Sequence, residues 1–240
     1  MKKRLYSLSL AVIAILLATN TYAQWVEKNN GLWGGRALAF AVDGENIFVG
    51  TEGGVFFSSN NGASWTSRST GLTSLRIRGL AIIGSNIFAA TYGGGVFRST
   101  NYGINWVAVN TGLSSITINT LVAKGTNLFA GGDGGGAFLS TNNGESWTGI
   151  NTGLVYNSIV ANYINAFAVS GGNIFAGTSF RGVFLSNDNG TSWTAVNSGL
   201  DDLDVNTLAI SGSNIFAGTE CGGVFRSTNN GANWVAVNTG

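Results

Sequence analysis

Histidine and proline are absent from this chain of 240 residues, and cysteine occurs once, at Cys221. The lack of histidine excludes Ser-His-Asp triads, Cys-His pairs and every histidine-ligated metal site. A single cysteine excludes an intramolecular disulfide, and we interpret it as a small buried or half-buried residue rather than a reactive thiol. Without proline, the turns depend on other residues, and the 37 glycines indicate that glycine builds them together with asparagine. We expect neither a metal nor a cofactor.

Charge is also scarce, because only 10% of the residues are charged. The first residues combine a basic start, MKKR, with the apolar run LSLAVIAILLA (8–18), which is too short to span a bilayer. This pattern predicts a secretory signal peptide at residues 1–23, cut after Ala23. Cleavage leaves nine basic against eleven acidic residues, a formal charge of −2. We therefore expect no nucleic-acid partner, no membrane insertion after cleavage, and a bacterial periplasmic, cell-surface or extracellular location.

One eight-residue pattern occurs five times in the chain. Its tryptophans are separated by 41, 41, 46 and 41 residues, and the longer step contains an insertion near VYNSIVANY (155–163). Segments such as SNIFAGT and NTGL recur at a constant distance from the pattern. The period indicates five copies of one structural unit. The five copies are SSNNGASW (58–65), STNYGINW (99–106), STNNGESW (140–147), SNDNGTSW (186–193) and STNNGANW (227–234).

Each copy has the pattern of four short strands. In the last copy they are DVNTLAIS (204–211), IFAGT (215–219), VFRST (224–228) and NWVAVNT (233–239), rich in β-branched and aromatic residues and separated by Gly and Asn turns. A four-stranded sheet repeated every forty-odd residues is typical of a β-propeller blade. We therefore predict an all-β propeller, or propeller segment, over residues 24–240, with blades at about 33–72, 73–113, 114–154, 155–200 and 201–240.

The segment WVEKNNGL (25–32) resembles WVAVNTGL and predicts an additional outer strand at 24–32. A ring of five complete blades has no place for that strand. We expect either that it pairs elsewhere or that the sequence is a fragment of a longer repeat protein, in which case the blades at the ends expose sheet faces and edges.

The repeated pattern Ser-x-(Asn/Asp)-x-Gly-x-(Ser/Asn)-Trp resembles the Asp-box, or bacterial neuraminidase repeat (BNR). The resemblance implies a hairpin turn in which the Asp or Asn side chain binds backbone amides, the glycine takes a positive φ and the tryptophan packs between blades. Only Asp188 keeps the acid, which makes a cation site unexpected. The residues to which the resemblance gives this structural role are Ser58, Asn60, Gly62, Trp65, Ser99, Asn101, Gly103, Trp106, Ser140, Asn142, Gly144, Trp147, Ser186, Asp188, Gly190, Trp193, Ser227, Asn229, Gly231 and Trp234.

Asp-box propellers include sialidases, xyloglucanase-type glycoside hydrolases, and the sortilin-like and photosystem II stability/assembly-factor-like proteins, which bind proteins. The arginine triad and the Tyr/Glu nucleophile pair of sialidases have no recognisable counterpart in this chain. Their Arg-Ile-Pro signature requires a proline, which the chain lacks. The resemblance therefore covers the frame of these proteins and stops short of the sialidase active site.

Function is expected where the copies differ, in the loops on one rim of the propeller. One position of these loops holds Glu52, Tyr92, Asp133, Ser179 and Glu220 in turn, and we predict that it surrounds a mouth of the central channel. The candidate binding residues on the rim are Trp33, Arg36, Arg76, Tyr92, Tyr156, Tyr163, Phe180, Arg181, Asp201, Asp202 and Asp204.

Three interpretations of the rim remain open. Aromatic side chains beside arginine and carboxylate favour a non-catalytic binding or scaffold module for a glycan or a protein. Two carboxylates can also cleave a glycosidic bond as acid and base or nucleophile, which makes Glu52, Asp133 and Glu220 candidates for catalysis. Alternatively, charged residues on exposed turns serve only the solubility of an apolar, glycine-rich chain.

Overall fold

Short antiparallel strands and tight turns make up the structure, a computed structural model that describes residues 27–156, 159–160 and 163–239. Five sheets contain four strands each and follow one another along the chain, and a small hairpin precedes the fourth sheet. No helix capable of crossing a membrane occurs in those three ranges. The predicted signal peptide and residues 24–26 of the predicted outer strand lie outside them.

The strand bounds repeat from sheet to sheet. The first sheet contains β1 (Ala37–Asp43), β2 (Asn46–Thr51), β3 (Gly54–Ser58) and β4 (Thr66–Ser67). The second contains β5 (Ile77–Ile83), β6 (Asn86–Thr91), β7 (Gly95–Ser99) and β8 (Val107–Ala108). The third contains β9 (Ile118–Lys124), β10 (Asn127–Gly132), β11 (Gly136–Ser140) and β12 (Thr148–Gly149). The hairpin is β13 (Val155–Tyr156) with β14 (Ile159–Val160). The fourth sheet contains β15 (Ile164–Ser170), β16 (Asn173–Thr178), β17 (Gly182–Ser186) and β18 (Thr194–Ala195), and the fifth β19 (Val205–Ser211), β20 (Asn214–Thr219), β21 (Val224–Ser227) and β22 (Val235–Ala236).

In every sheet the strands pair in chain order, each with the next. The first strands β1, β5, β9, β15 and β19 together line one cavity, so the sheets are arranged around a common channel. The sequence pattern predicted a fourth strand over 233–239, whereas β22 contains only two residues. The strand is short because the side chain of Asn238 takes over the next position, where its Oδ1 accepts a hydrogen bond from the amide of Val224 at 2.7 Å.

The core lies between consecutive sheets. Four hydrophobic clusters join the first sheet to the second, the second to the third, the third to the fourth and the fourth to the fifth. Each contains a fully buried phenylalanine from a second strand, namely Phe48, Phe88, Phe129 or Phe175. Burial of such a side chain stabilises the fold by about 1.5–3 kcal/mol, so the stacking of sheets, rather than any single sheet, supplies the stability.

The eight-residue pattern forms the turn between the third and fourth strands, and we call these segments (58–65, 99–106, 140–147, 186–193 and 227–234) the Trp turns. In the first of them, Ser58 Oγ accepts a bond from the amide of Gly62 at 2.9 Å and donates to Asn60 Oδ1 at 2.9 Å. Asn60 Oδ1 also accepts from the amide of Ser64 at 2.9 Å. The same bonds recur in the other four turns. The Trp turn is therefore a hydrogen-bonded unit held together by its own side chains.

The tryptophan of each Trp turn fastens one sheet to the preceding one. Trp106 Nε1 donates to the carbonyl of Arg68, just after β4, at 2.8 Å. The three later tryptophans donate in the same way at 2.7–2.8 Å and, like Trp106, are at most 4% exposed. Trp65 donates to the carbonyl of Lys28 at 2.7 Å. Residues 27–32, the described part of the predicted outer strand, form a turn that occupies the place of a preceding sheet's last segment.

The recurring NTGL segment explains how the chain leaves each sheet. After β8, Asn110 Oδ1 accepts from the amide of Val96 at 2.7 Å, and the carbonyl of Thr111 accepts from the amide of Trp147 at 2.8 Å. Gly112 has φ +91°, and a Cβ at this position would lie 2.1 Å from the carbonyl oxygen of Trp147. Glycine is therefore required for both its backbone conformation and its lack of a side chain.

The two sheets at the ends of the series each have one uncovered face. Phe40 on β1 is 62% exposed, whereas Leu80, at the corresponding position of β5, is 7% exposed because the first sheet covers it. Val224 on β21 is 41% exposed, whereas the corresponding Val183 is fully buried. In the described ranges, each interior sheet is covered on both faces and each end sheet on one.

Candidate functional site at one mouth of the channel

A β-bulge in every first strand supplies the side chains at one mouth of the channel. The pairing between first and second strands skips one residue in each sheet. A bulge leaves its residue unpaired and changes the direction of its side chain, which is why bulges are frequent beside functional sites. The five skipped residues are Leu38, Arg78, Asn119, Asn165 and Asn206, and all five line a pocket of about 330 Å³.

Arginines from the first two sheets form one side of this pocket. Arg36 pairs with Glu52 through Nη2 and Oε1 at 2.8 Å. The guanidinium groups of Arg76 and Arg78 lie 5.0 and 4.9 Å from the centre of the Tyr92 ring, within the range of a cation–π contact. In the described part of the chain, neither arginine has a carboxylate within 4 Å. This side of the mouth therefore presents two guanidinium groups, those of Arg76 and Arg78, that form no ion pair with a carboxylate of the described residues.

The arginine side chains are partly desolvated. Arg78 Nη1 donates to Asn119 Oδ1 at 3.3 Å, but the Nε atoms of Arg76 and Arg78 are buried and bonded to nothing in the described ranges. Burial, followed by repulsion from Arg76, lowers the pKa of Arg78 from its usual value. A guanidinium group in this state gains stability from an anion, because the anion supplies both a counter-charge and acceptors.

Asparagines and acids form the other side. Asn165 Nδ2 donates to Ser179 Oγ at 3.0 Å, and Asn206 Nδ2 donates to Glu220 Oε2 at 2.5 Å. Asp204 lies beside them, and burial together with the charges of Glu220 and Asp202 raises the pKa of its carboxyl group. The mouth is therefore divided into a basic half, formed by the first two sheets, and an acidic half, formed by the fifth.

The three carboxylates proposed for catalysis lie in different environments. The hydrogen bond from Arg36 lowers the pKa of Glu52, which is the opposite of what a general acid requires. Asp133 lies in an isolated β-bridge with Tyr163, and Glu220 accepts from Asn206. Among the described residues, no group of three His, Cys, Asp or Glu side chains is arranged to hold a metal ion.

The other predicted rim residues divide into exposed and anchored ones. Trp33 and Phe180 are 73% and 65% exposed, and Trp33 contacts the ring of Phe56 edge-on at 5.2 Å. Tyr163 is also exposed, and Arg181 is held by its bond to the carbonyl of Phe180 at 2.7 Å. The remaining predicted residues have the following places: Tyr156 ends β13, Asp201 is exposed, and Asp202 accepts from the amides of Cys221 and Gly222 at 2.7 and 2.9 Å. Cys221 itself lies on this turn and is exposed, so the prediction of a buried or half-buried cysteine is wrong.

The sequence interpretation missed five residues of the pocket, namely Leu38 and the four polar residues Arg78, Asn119, Asn165 and Asn206. They lie inside a predicted strand, where an alternating pattern gives no sign of a bulge. One signal was present: this position reads Leu, Arg, Asn, Asn, Asn in the five copies, while its neighbours are uniformly apolar or small. The variation among the copies that marks the rim loops therefore also marks this position inside the first strands.

Comparison with solved structures confirms the fold. YCF48 bound to a D1 peptide matches 86% of this chain and 70% of its own, with a TM-score of 0.66 and 13% sequence identity. An ancestral GH74 enzyme matches with a TM-score of 0.66 and 22% identity, and the extracellular domain of a two-component system from B. thetaiotaomicron with 0.68 and 15%. The match with the GH74 enzyme covers 88% of this chain but only 32% of the enzyme. The match with the extracellular domain covers 83% of this chain but only 27% of that domain. The chain is therefore an all-β propeller with five four-stranded blades. No protein-family model and no curated protein matches it.

Proposed function

We propose that this protein is an exported, non-catalytic binding or scaffold module that holds a carboxylate-bearing segment of a partner protein at the channel mouth. The observation that carries the proposal is the basic half of the mouth, where Arg76 and Arg78 have buried Nε atoms without partners and no carboxylate within 4 Å in the described ranges. Tyr92 fixes both guanidinium groups, so little side-chain entropy is lost when an anion binds. The D1 peptide bound to YCF48, a propeller of similar fold, supports a segment of a protein as the ligand.

The test is fluorescence anisotropy with a labelled peptide rich in Asp and Glu, measured on the mature full chain. Arg78→Asn introduces the residue that the third, fourth and fifth sheets carry at this position, so the fold is expected to tolerate it. Loss of a charge-assisted hydrogen bond is expected to weaken binding by about tenfold or more. Added salt is expected to weaken wild-type binding as well.

Arg226→Leu is the matched control. Arg226 is an exposed arginine on β21 that is absent from the pocket, and Leu139 and Leu185 occupy the corresponding positions. This variant is expected to bind the peptide as the wild type does. Equal binding by Arg78→Asn and wild type, or equal loss in both variants, would contradict the proposal.

Glycoside hydrolysis is the second candidate function, and one observation favours it. The raised pKa of Asp204, with Glu220 close enough to contribute to it, is the arrangement that a general acid beside a second carboxylate requires. If the mouth cleaves aryl-glycosides, Asp204→Asn and Glu220→Gln are expected to abolish turnover, whereas Glu52→Gln is expected to retain it. Absence of turnover in the wild type eliminates this candidate.

A further inference from the structure

The second Trp turn differs from the other four at a position where the difference has an energetic cost. Tyr102 has φ +55°, and the corresponding residues Asn61, Asn143, Asn189 and Asn230 have φ between +53° and +57°. Asparagine adopts this left-handed conformation readily, whereas a bulky residue seldom does. The tyrosine side chain is 46% exposed, so burial does not account for its presence. Strained residues of this kind occur often at ligand sites.

Three further departures from the repeat surround Tyr102. Ile104 replaces the Ala, Glu, Thr and Ala of the other Trp turns, and Phe57 replaces Arg or Leu. Arg68 stands where the later sheets carry Val109, Ile150, Val196 and Val237. All four unusual residues, together with Asn46, line one groove of about 320 Å³ on the outside of the propeller between the first and second sheets. We call it the outer groove.

The geometry of the outer groove exposes both apolar surface and an unneutralised cation. The Arg68 guanidinium lies 5.1 Å from the centre of the Phe57 ring, and the rings of Phe57 and Tyr102 are 6.4 Å apart. Arg68 Nε is buried and has no hydrogen-bond partner among the described residues. In the same ranges, no carboxylate lies within 4 Å of the Arg68 guanidinium. Ile104 is 49% exposed. Arg68 and Tyr102 both lie against the Phe57 ring, and Ile104 lines the same groove, yet both the apolar surface and the arginine remain available.

We propose that the outer groove binds an acidic sugar residue, a hexuronate of a glycan chain. A hexuronate ring has two features that match the groove. Its apolar C–H face stacks on the Tyr102 ring, and its carboxylate accepts hydrogen bonds from the guanidinium of Arg68. Asn46 adds an amide that bonds to ring hydroxyls. The volume is at the small end of ligand sites and suits a ring-sized group. This site is separate from the channel mouth and does not depend on the function proposed there.

The experiment is titration calorimetry of the mature full chain with trigalacturonate, with neutral maltotriose measured in parallel. Tyr102→Asn and Arg68→Val restore what other copies of the repeat carry, so both variants are expected to fold. Each is expected to weaken trigalacturonate binding by about tenfold or more. Tyr102→Asn is also expected to raise the thermal unfolding midpoint, because it relieves the left-handed tyrosine. Higher stability with lost binding is the signature of a residue retained for a ligand.

Arg226→Leu, at an exposed arginine that lines neither the channel mouth nor the outer groove, is the control and is expected to leave trigalacturonate binding unchanged. The proposal is overturned if trigalacturonate does not bind, if Tyr102→Asn binds it as the wild type does, or if maltotriose binds equally well. Selective binding of a peptide that ends in Phe, in place of trigalacturonate, would assign the groove to a protein ligand and would also overturn it.

Discussion

Asp188 is the one acid among the five equivalent positions of the Trp turns, and its hydrogen bonds show what the charge contributes. Its carboxylate accepts from Ser192 Oγ at 2.6 Å, from the amide of Ser192 at 3.0 Å and from Ser186 Oγ at 2.7 Å. In the first Trp turn, Asn60 accepts two equivalent bonds but donates to Ser64 Oγ at 3.0 Å. Asparagine and aspartate therefore form the same turn with one bond reversed, so a charge is not needed for the fold.

We predict that Asp188 makes stability depend on pH in acid. The bonds from Ser192, followed by the bond from Ser186, lower its pKa from 3.8 to about 2 in the folded protein. A group whose pKa is lowered by folding stabilises the fold above its unfolded pKa, and this contribution is lost as pH falls through the folded value. The thermal midpoint of the wild type is therefore expected to fall more steeply than that of Asp188→Asn between pH 4 and pH 2. Since both proteins share all other carboxylates, parallel curves would show that Asp188 carries no linked proton.

Single residues also show where prediction from sequence ends. The Asp-box resemblance implied a positive φ at the glycine, and Gly62 has φ +79°. The residue before it, Asn61, is left-handed as well, with φ +53°. Asparagine adopts both negative and positive φ angles, so its presence in the sequence does not reveal which of the two the backbone has. The tyrosine at this position in the second turn is anomalous only when the backbone angle is known.

At the scale of the element, the period and the turn residues were sufficient to predict five four-stranded sheets. The β-bulge was beyond prediction, because strands of seven residues that are mostly apolar or small do not reveal where one extra residue enters the pairing. For this reason the candidate site was predicted only in part. Arg76, which precedes β5, was predicted, whereas Arg78, inside β5, was not. The length of the fourth strands was also missed, because a side chain replaces backbone pairing after two residues.

We predict that this replacement of backbone by side chain is necessary. Asn110→Ala leaves the amide of Val96 and the carbonyl of Gly94 without the partners that Asn110 supplies at 2.7 and 3.0 Å. The expected loss is about 1–3 kcal/mol in the free energy of unfolding, measured by urea titration. Asn110→Ser is expected to recover most of it, since Ser69 Oγ accepts from the amide of Val55 at 3.0 Å in the first sheet. Equal stability of Asn110→Ala and wild type would show that the hydrogen bonds of the Asn110 side chain make no net contribution to the free energy of unfolding.

At the scale of the whole molecule, the repeated interface between sheets decides what is stable and what is exposed. Residues that are buried in the interior of the series become surface residues at its two ends, although the sequence of every copy is nearly the same. Composition and pattern alone cannot distinguish Phe40 from Leu80, because both occupy the same position of a first strand. Their exposed fractions, 62% and 7%, differ only because a sheet precedes one and not the other among the described residues.

We predict that the exposed face of the first sheet limits the solubility of the protein. Phe40 and Val42, each 62% exposed, form an apolar surface of the kind that promotes association. Phe40→Lys is expected to raise the concentration at which static light scattering first detects aggregates, with little change in the thermal midpoint. Leu80→Lys, the same substitution at the corresponding buried position, is expected to destabilise the fold by about 3–5 kcal/mol, because it buries an unpaired charge. Similar destabilisation in both variants would mean that a neighbour covers Phe40 in solution and that the end face is not free.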